Sequence, residues 1–307
     1  MREITVICPI YNEEKNIQNF VKRFSEIFKK IKNYNFIILF ADNNSTDNSS
    51  AIIKNICKKN KKIRYIRYSK NNGVMKSIYT AISLVKSDAC AVFDCDLQDD
   101  PNLLIQFINY WKKNYKIVFG KRITRKENIF LGIFRNIFKK LDFMFKGFNI
   151  EIESGAWFLD KSVVKELKNR KFDPFLPALI DRLNFKKKGI PYKRLERISG
   201  DSKFSFFSYI NYASEGLISG TIKPLKLSVY FSFLFGFFSL ASGIYFVLAK
   251  FYFKLYFAEG IAAIVIINLI SFALLFLFLG ILGEYIGQIY LSDENKKLAV
   301  IEEKMNL

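Results

Sequence analysis

The first 120 residues alternate between short apolar runs and longer amphipathic stretches. The apolar runs are rich in Ile, Val, Phe and Tyr, as buried strands are, and a stretch with helical spacing of apolar residues follows most of them. This order predicts a βαβ series, and therefore an α/β fold with a mainly parallel sheet. The predicted strands are ITVICPIY, FIILFA, IRYIRY, ACAVFD and KIVFG. The predicted helices run from Glu14 to Lys30, Thr46 to Lys59, Val74 to Lys86 and Pro101 to Lys113.

Two later runs are apolar throughout. Residues 227–249 and 260–283 contain no charged side chain, and each exceeds the roughly 20 residues that a helix needs to cross a bilayer core of about 30 Å. The connector, residues 250–259, is short, so both ends of the pair should lie on the same side. We predict a transmembrane hairpin. The alternative, a pair of buried soluble helices, is less favoured because such helices usually carry charge on one side.

Two segments before the hairpin are typical of helices that lie on a membrane surface. Residues 129–148, IFLGIFRNIFKKLDFMFKGF, place aromatic and aliphatic side chains at helical spacing, with most basic residues elsewhere on the helix. Residues 204–220, FSFFSYINYASEGLISG, form a second such segment. An amphipathic helix packed on the domain is the alternative for the first. The patterns thus predict an α/β domain over 1–224, a hairpin over 225–290 and a cytoplasmic tail over 291–307.

Charge is distributed unevenly along the 307 residues. The formal net charge is +20, and residues 225–307 carry six basic and six acidic side chains, so the excess belongs to the first domain. Such an excess predicts attraction to a polyanion, for which nucleic acid, an anionic membrane and phosphorylated substrates are the candidates. The chain has no histidine, and its four cysteines form no CxxC pair, which argues against a zinc site. The cysteines are interpreted as reduced thiols facing the cytosol.

The start of the chain bears on the orientation in the membrane. The opening residues, MREITVICPIYNEE, lack the basic and apolar regions of a secretory signal. We therefore expect the domain of residues 1–224 to lie on the cytoplasmic side of the membrane.

Acidic residues are concentrated in FDCDLQDDP, residues 93–101. Asp94 and Asp96 fall at the end of the fourth predicted strand, and Asp42 falls at the end of the second. The carboxyl ends of parallel strands meet at one edge of a sheet, where α/β proteins bind ligands. An Asp-x-Asp pair with Gln98 suits a hard divalent cation that also binds the diphosphate of a nucleotide. A solvated acidic turn is the alternative for the motif taken alone.

Several motifs together resemble a known family. PIYNEE, DNNSTD, KNNG and DCDLQDDP, in this order, resemble the amino-terminal domain of inverting family 2 glycosyltransferases with the GT-A fold. YKRLERISGDSKF is similar to the R-x-x-R-x-x-G-x-S-K-[YF] element of polyprenyl-phosphate glycosyltransferases, the group that contains dolichyl-phosphate mannose synthase and bactoprenol glucosyltransferase. GEYIGQIY resembles the bacterial members with a two-helix anchor. The likeness covers nearly the whole chain.

The resemblance implies a role for each motif residue. Asp94 and Asp96 would be catalytic and, with Gln98, would hold Mg²⁺ or Mn²⁺ and the donor diphosphate. The residues implied in nucleotide-sugar binding are Pro9, Tyr11, Glu13, Asp42, Asp94, Arg197, Ser202 and Lys203. Those implied in binding the acceptor phosphate are Arg122, Arg135 and Arg194. For each arginine, the alternative is an ordinary surface charge in a basic chain.

One stretch departs from the family pattern. Many relatives carry an Asp-Phe-Arg-Leu-like run where this chain reads SGAWFL, so Ala156 and Phe158 occupy positions that are often acidic and basic. A carboxylate near the sugar is therefore expected to be missing, and Glu153 is a candidate to replace it. Trp157 either stacks on a sugar face or packs in the core.

The resemblance implies the inverting, metal-dependent transfer of a sugar to polyprenyl phosphate, with undecaprenyl phosphate as the expected acceptor, at the cytoplasmic face of the inner membrane. Glucose from UDP-glucose is the expected donor sugar; GDP-mannose, UDP-GlcNAc, UDP-galactose and an amino-pentose donor are alternatives. Relatives with this anchor imply a homotetramer.

Other classes fit the sequence less well. A processive polysaccharide synthase would usually carry a Q-x-x-R-W motif and more spans. A non-catalytic membrane scaffold that binds lipid or nucleic acid leaves the acidic cluster unexplained, so nucleic acid is not an expected partner.

Overall fold

The computed structural model describes residues 1–123, 155–170, 176–195, 261–295 and 298–307, with isolated positions between these ranges. The two predicted interfacial segments and the first predicted span lie almost wholly outside the described residues. Five candidate residues lie outside them too: Arg135, Glu153, Arg197, Ser202 and Lys203.

One sheet of eight strands organises the described part of the chain. Its strands are β1 (Arg2–Ile10), β2 (Tyr34–Asp42), β3 (Ile63–Tyr68), β4 (Ala89–Val92), β5 (Ile117–Arg122), β6 (Trp157–Asp160), β7 (Lys187–Tyr192) and β8 (Ile301–Met305). They lie in the order β7-β5-β6-β4-β1-β2-β3-β8. Strands β4, β1, β2 and β3 are parallel to their neighbours among these four, and β5 is parallel to β7. Only β6 and β8 run antiparallel to their neighbours. The predicted α/β class and mainly parallel sheet are confirmed.

Helices pack on both faces of this sheet. The described helices are α1 (Ile17–Lys30), α2 (Ser49–Lys59), α3 (Val74–Leu84), α4 (Leu103–Lys112), α5 (Lys161–Lys168), α6 (Leu176–Asp181) and α7 (Ile261–Asn295). One buried cluster includes Phe20 of α1 and Phe107 of α4. The other includes Ile82 of α3 and Val164 of α5. The sheet is buried on both sides, which explains why its central strands are almost continuously apolar.

The five strands and four helices predicted over the first 122 residues are all present. Strand β3 covers the predicted run, Ile63–Tyr68, without change. Helix α1 begins at Ile17 instead of Glu14, because the Glu13 carbonyl accepts the Asn16 N–H at 2.9 Å in a turn that precedes the helix. Predicted helix boundaries shift in this way wherever a turn uses the same polar residues as a cap.

The sequence analysis did not predict three strands. Strand β6 is only four residues long, too short to display a period, and it enters the sheet antiparallel between β4 and β5. Strand β7 contains Pro191 and three basic or glycine positions. Strand β8 lies within the predicted tail, residues 291–307, and pairs antiparallel with β3. The sheet of the amino-terminal domain therefore includes residues from the carboxyl terminus.

Helix α7 contains the second predicted span, residues 260–283, apart from its first residue. Many of its large apolar side chains are exposed, including Phe272, Phe276 and Ile289. In the part of the chain that the structure describes, no helix combines the length and the apolar character needed to cross a membrane. The transmembrane hairpin stays a prediction of the sequence.

The last residues stabilise the edge of the sheet, which gives a first test. The Asn306 side chain donates to the carbonyls of Cys57 and Ile63 at 2.9 Å each, and its φ of 60° is one that Asn tolerates better than Ala. We expect Asn306→Ala to lower the free energy of unfolding by about 1–3 kcal/mol, since two carbonyls lose a donor. Lys304→Ala, an exposed change on the same strand, is the control for thermal unfolding. Equal melting temperatures for the two variants would contradict the docking of this terminus.

Candidate active site

The ends of three neighbouring strands meet at one edge of the sheet. Ile10 at the end of β1 is paired in register with Asp42 at the end of β2. On the other side of β1, Ile7 is paired with Val92, the last residue of β4, and the acidic segment follows it. The structure therefore brings Asp42 and Asp94 to the same edge, as the sequence predicted.

The acidic segment after β4 folds into a tight loop. Asp94 is partly exposed and Asp96 is 8% exposed. Leu97 has a φ of 55°, in the left-handed region, which turns the chain so that the Gln98 N–H donates to the Asp96 carboxylate at 3.1 Å. The Gln98 carbonyl accepts the Leu195 N–H at 2.9 Å. The loop is thus joined to the segment that follows β7.

Asp99 connects this loop to two arginines. One of its oxygens accepts a hydrogen bond from the Tyr192 hydroxyl, and the same oxygen lies 3.7 Å from Arg122 Nη2 and 4.0 Å from Arg194 Nε. Arg122 also donates from Nε to the Tyr192 hydroxyl at 3.1 Å. Burial, followed by the charge of Asp99, raises the pKa of Tyr192, so its hydroxyl remains a donor. Two of the predicted acceptor-phosphate arginines are therefore held beside the acidic loop.

Gly155 lies directly against the acidic loop. A Cβ on this residue would lie 2.7 Å from Oδ2 of Asp94 and 3.3 Å from Oδ2 of Asp99. Among the residues that the structure describes, the buried Oδ2 of Asp99 has no hydrogen-bond partner. Two carboxylate oxygens thus point toward the same small space, which only a glycine at position 155 leaves open.

The crowding changes the acidity of Asp94. Burial raises its pKa from 3.8 to about 7, with further increases from the charges of Asp99 and Asp96, while Arg122 and Arg194 act in the opposite direction. The carboxylate form of Asp94 is therefore disfavoured in the protein alone. A cation beside it would favour the charged form.

The residues of this loop fit a divalent cation. Oxygen ligands from carboxylates suit Mg²⁺ or Mn²⁺, and such sites at nucleotides commonly use one or two protein carboxylates with phosphate oxygens and water. The unpartnered Asp99 oxygen and the raised pKa of Asp94 show that negative charge here lacks full compensation. Within the described ranges, no three acidic or cysteine side chains form a complete metal cage. The carboxylates of Asp94 and Asp96 are the oxygen ligands that this loop could offer to such a cation.

Asp42 lies in the part of this sheet edge that is predicted to bind the nucleoside. This residue is fully buried, and its carboxylate accepts the Ser45 N–H at 2.8 Å and the Tyr65 hydroxyl at 2.7 Å. Arg67 Nη1 lies 3.7 Å from the same carboxylate. Asp42 therefore fixes the loop that follows β2, and its predicted contact with the nucleoside stays a prediction.

Two further motif loops join the same region. The Asn43 side chain donates to Oδ1 of Asn71 at 2.6 Å and accepts the Asn72 N–H at 2.9 Å, which ties DNNSTD to KNNG. In PIYNEE, the Glu13 carboxylate accepts from the Asn16 side chain at 2.6 Å. Among the other predicted residues, Pro9 is partly buried in β1 and Tyr11 is 36% exposed.

The sequence analysis missed two residues of the site. Asp99 lies in the acidic run, but the Asp-x-Asp spacing indicated only Asp94 and Asp96. Tyr192 lies two residues before Arg194, and nothing in its local pattern indicated a contact with an acid 93 positions earlier. Only the pairing of β7 with β5 brings Tyr192 beside Arg122.

The departure from the family pattern lies in β6. Ala156 and Phe158 are fully buried, and Trp157 is 1% exposed. Of the two readings of Trp157, packing in the core is therefore the observed one. Within the described ranges, its indole N–H has no hydrogen-bond partner. No carboxylate stands at position 156, and Asp99 approaches the neighbouring Gly155.

Comparisons with known proteins agree with this architecture. The model of the family described as glycosyl transferase family 2 matches residues 5–168. The putative glycosyltransferase CsbB of Bacillus subtilis (strain 168) is 30% identical over 98% of this chain and 91% of its own. A bactoprenol glucosyl transferase of Shigella phage SfII is 25% identical over 98% of each chain.

A solved structure shows the same fold. Glucosyl-3-phosphoglycerate synthase from Mycobacterium tuberculosis, in complex with Mn²⁺, UDP-glucose and phosphoglyceric acid, is 13% identical, with a TM-score of 0.52 over 71% of this chain and 78% of that one. The chain belongs to glycosyl transferase family 2 and is a glycosyltransferase with a GT-A-like fold.

The raised pKa of Asp94 predicts a pH-dependent stability effect. Because the folded-state pKa lies above the ordinary value, charging Asp94 destabilises the fold as pH rises from about 4 to 7. In EDTA at pH 8, Asp94→Asn should therefore raise the free energy of unfolding by about 1–4 kcal/mol. Each unit of difference between the folded and unfolded pKa corresponds to about 1.4 kcal/mol. The gain should shrink toward pH 4. Thermal unfolding at pH 8 and pH 4 measures this difference. An Asp94→Asn variant less stable than wild type at pH 8 would contradict the raised pKa of Asp94.

The close approach of Gly155 predicts a steric effect on activity. A methyl group there would overlap Oδ2 of Asp94 at 2.7 Å, so the loop must shift. We expect Gly155→Ala to lower kcat/KM for sugar transfer by about 100-fold, as misplacement by an ångström does. Gly280→Ala is the control, because no atom of the described residues lies within 4 Å of a Cβ at that position. Equal kcat/KM values for the two variants would show that the acidic loop accommodates the added methyl group without moving.

Proposed function

We propose that this glycosyltransferase moves a sugar from a nucleotide sugar to a polyprenyl phosphate, with inversion at the anomeric carbon. The observation that carries the proposal is the Asp99 contact with Arg122 and Arg194, which holds cationic groups beside the acidic loop. A donor diphosphate and an acceptor phosphate brought together are stabilised by positive charge, which these arginines and a cation held by the acids would supply. The name of the phage relative, a bactoprenol glucosyl transferase, supports the same acceptor class.

The proposed acceptor needs little activation by the protein. A phosphate monoester has a second pKa near 6, so the acceptor is largely a dianion at neutral pH. Its oxygen attacks the anomeric carbon directly, and the bond to the departing nucleoside diphosphate breaks. A chain without histidine suits this step, because no proton has to be removed from the nucleophile. Arg122 and Arg194 would orient the acceptor and reduce its repulsion from the donor diphosphate.

A divalent cation, Mg²⁺ or Mn²⁺, would be held by Asp94, Asp96 and Gln98. When bound, it supplies positive charge that stabilises a departing diphosphate. The Mn²⁺ in the mycobacterial synthase supports this proposal. Asp99 would keep the loop and the arginines in one arrangement.

The nucleoside would bind at the ends of β1 and β2, near Pro9, Tyr11, Glu13 and Asp42. Asp42 fixes the loop after β2 through Ser45. We propose UDP-glucose as the donor, on the name of the phage relative and on the UDP-glucose bound by the mycobacterial synthase. The residues proposed to close over the donor phosphates are Arg197, Ser202 and Lys203.

The membrane part of the proposal rests on the sequence. The uncharged runs 227–249 and 260–283 would anchor the protein as a hairpin, with the catalytic domain of residues 1–224 at the cytoplasmic face and Arg135 on an interfacial helix. The net charge of +20 favours a surface of anionic lipid, to which a polyprenyl phosphate contributes. A homotetramer is the proposed assembly.

The reaction is tested by incubating the purified full chain with undecaprenyl phosphate and radiolabelled nucleotide sugars. Label from UDP-glucose should enter the organic phase, and EDTA should prevent it. The panel includes GDP-mannose, UDP-GlcNAc, UDP-galactose and an amino-pentose donor, and transfer from one of these alone would replace the donor assignment. Absence of transfer from every donor would overturn the proposal.

Asp96→Ala tests the metal assignment within the same assay. Removing a ligand should lower transfer at least about 100-fold. Asp100→Ala is the control, because this acid lies in the same run and accepts a backbone N–H two residues later, as Asp96 does, but is not among the proposed metal ligands. Near-normal transfer by Asp96→Ala would rule out the assigned role.

A further inference from the structure

The carboxyl-terminal strand carries an irregularity beside the candidate nucleoside site. In the pairing of β8 with β3, Glu303 is opposite Arg67 and Ile301 is opposite Tyr68, so Glu302 is an extra residue in a β-bulge. Side chains normally alternate between the two faces of a strand, and a bulge interrupts that alternation and redirects a side chain.

The packing on either side of the bulge shows this interruption. Ile301 packs against the cluster beside α3, and Met305 packs against the cluster beside α1 and α2. These two residues are four positions apart, so regular alternation would put them on the same face. The bulge therefore moves the following residues to the other face. It lets Glu302 reach Arg67 while Glu303 reaches Lys54 on α2.

Arg67 uses all three of its nitrogens at this place. Nε donates to Glu302 at 3.2 Å, and Nη2 donates to Oδ1 of Asn44 at 2.7 Å. Nη1 lies 3.7 Å from Asp42. The planar guanidinium thus joins the terminal strand to the last residue of β2 and to Asn44 in the loop that follows β2. Asn44 has a φ of 63°, a left-handed conformation that Asn tolerates, and the contact with Arg67 fixes its side chain.

We propose that Glu302, acting through Arg67, positions Asp42 and Asn44 for the nucleoside, so that the carboxyl-terminal strand is part of the donor-binding site. The inference rests on the proposed function in one respect, since it takes Asp42 to lie at the nucleoside. Glu302 is a positioning residue, because it touches Arg67 and no predicted substrate group. Without its carboxylate, the guanidinium is free to turn away from Asn44 toward solvent.

The chain offers a matched control in the next residue. Glu303 lies on the same strand and forms an ion pair with Lys54 at 2.6 Å, shorter than the Glu302 contact, yet Lys54 has no contact with the loop after β2 among the described ion pairs. Both glutamates support the docking of β8. Only Glu302 reaches the candidate donor site. A role in stability alone would therefore affect both variants alike.

The experiment measures UDP binding by calorimetry and the kinetics of transfer, using the full chain in detergent with Mg²⁺ at low salt. Glu302→Gln should raise the Kd for UDP and the KM for the donor about two- to fivefold, as expected for a partly exposed ion pair. Its kcat and its KM for undecaprenyl phosphate should stay at the wild-type values. Glu302→Lys should have a larger effect on the same two constants. The Glu302→Gln difference should shrink in about 1 M salt.

The Glu303→Gln control distinguishes a positioning role of Glu302 from a role in stability alone. Glu303→Gln should leave the Kd for UDP unchanged, and both Gln variants should melt at similar temperatures. Equal Kd values for Glu302→Gln and wild type, or equal increases in both Gln variants, would overturn the inference. If the wild type binds no nucleotide at all, the proposed function fails, and that result is separate from a failure of the Glu302 contact.

Discussion

The close approach of two carboxylates, Asp94 and Asp99, is the constraint on which the rest of the site depends. Both direct an oxygen to the space beside Gly155, where burial makes negative charge costly. Arg122 and Arg194 compensate part of that charge, and one Asp99 oxygen remains unpartnered. Negative charge that is only partly compensated lowers the stability of the fold. Such arrangements are common at functional sites, including sites that bind cations and phosphates.

The fold makes this arrangement possible by bringing distant segments to one sheet edge. Strands β1, β2 and β4 end there because they are parallel, and β7 brings Tyr192 because it pairs with β5. The last strand, β8, adds a contact from the opposite end of the chain, at Arg67. The candidate active site is therefore supported from both termini. The contact of Glu302 with Arg67 is the observation behind the proposed role of this strand in donor binding.

The sequence predicted what depends on local patterns. Buried strands and amphipathic helices of the first 122 residues appear where their periodicity places them, and Asp94 lies at the predicted edge. Pairing between distant segments has no local signal, so β6 and β8 were missed and Tyr192 was not linked to Asp99. The sequence left two interpretations of Trp157, stacking on a sugar or packing in the core, because it does not show which face of β6 is buried. Both faces of β6 are buried in the core.

The central claim is that the acidic loop seats a divalent cation together with the diphosphate of a nucleotide. Anomalous diffraction from crystals of the full chain grown with Mn²⁺ and UDP tests it most directly. The account predicts one manganese peak within coordination distance, about 2.0–2.4 Å, of carboxylate oxygens of Asp94 or Asp96 and of the UDP phosphates. A nucleotide bound elsewhere, or a manganese peak remote from both carboxylates, would contradict it.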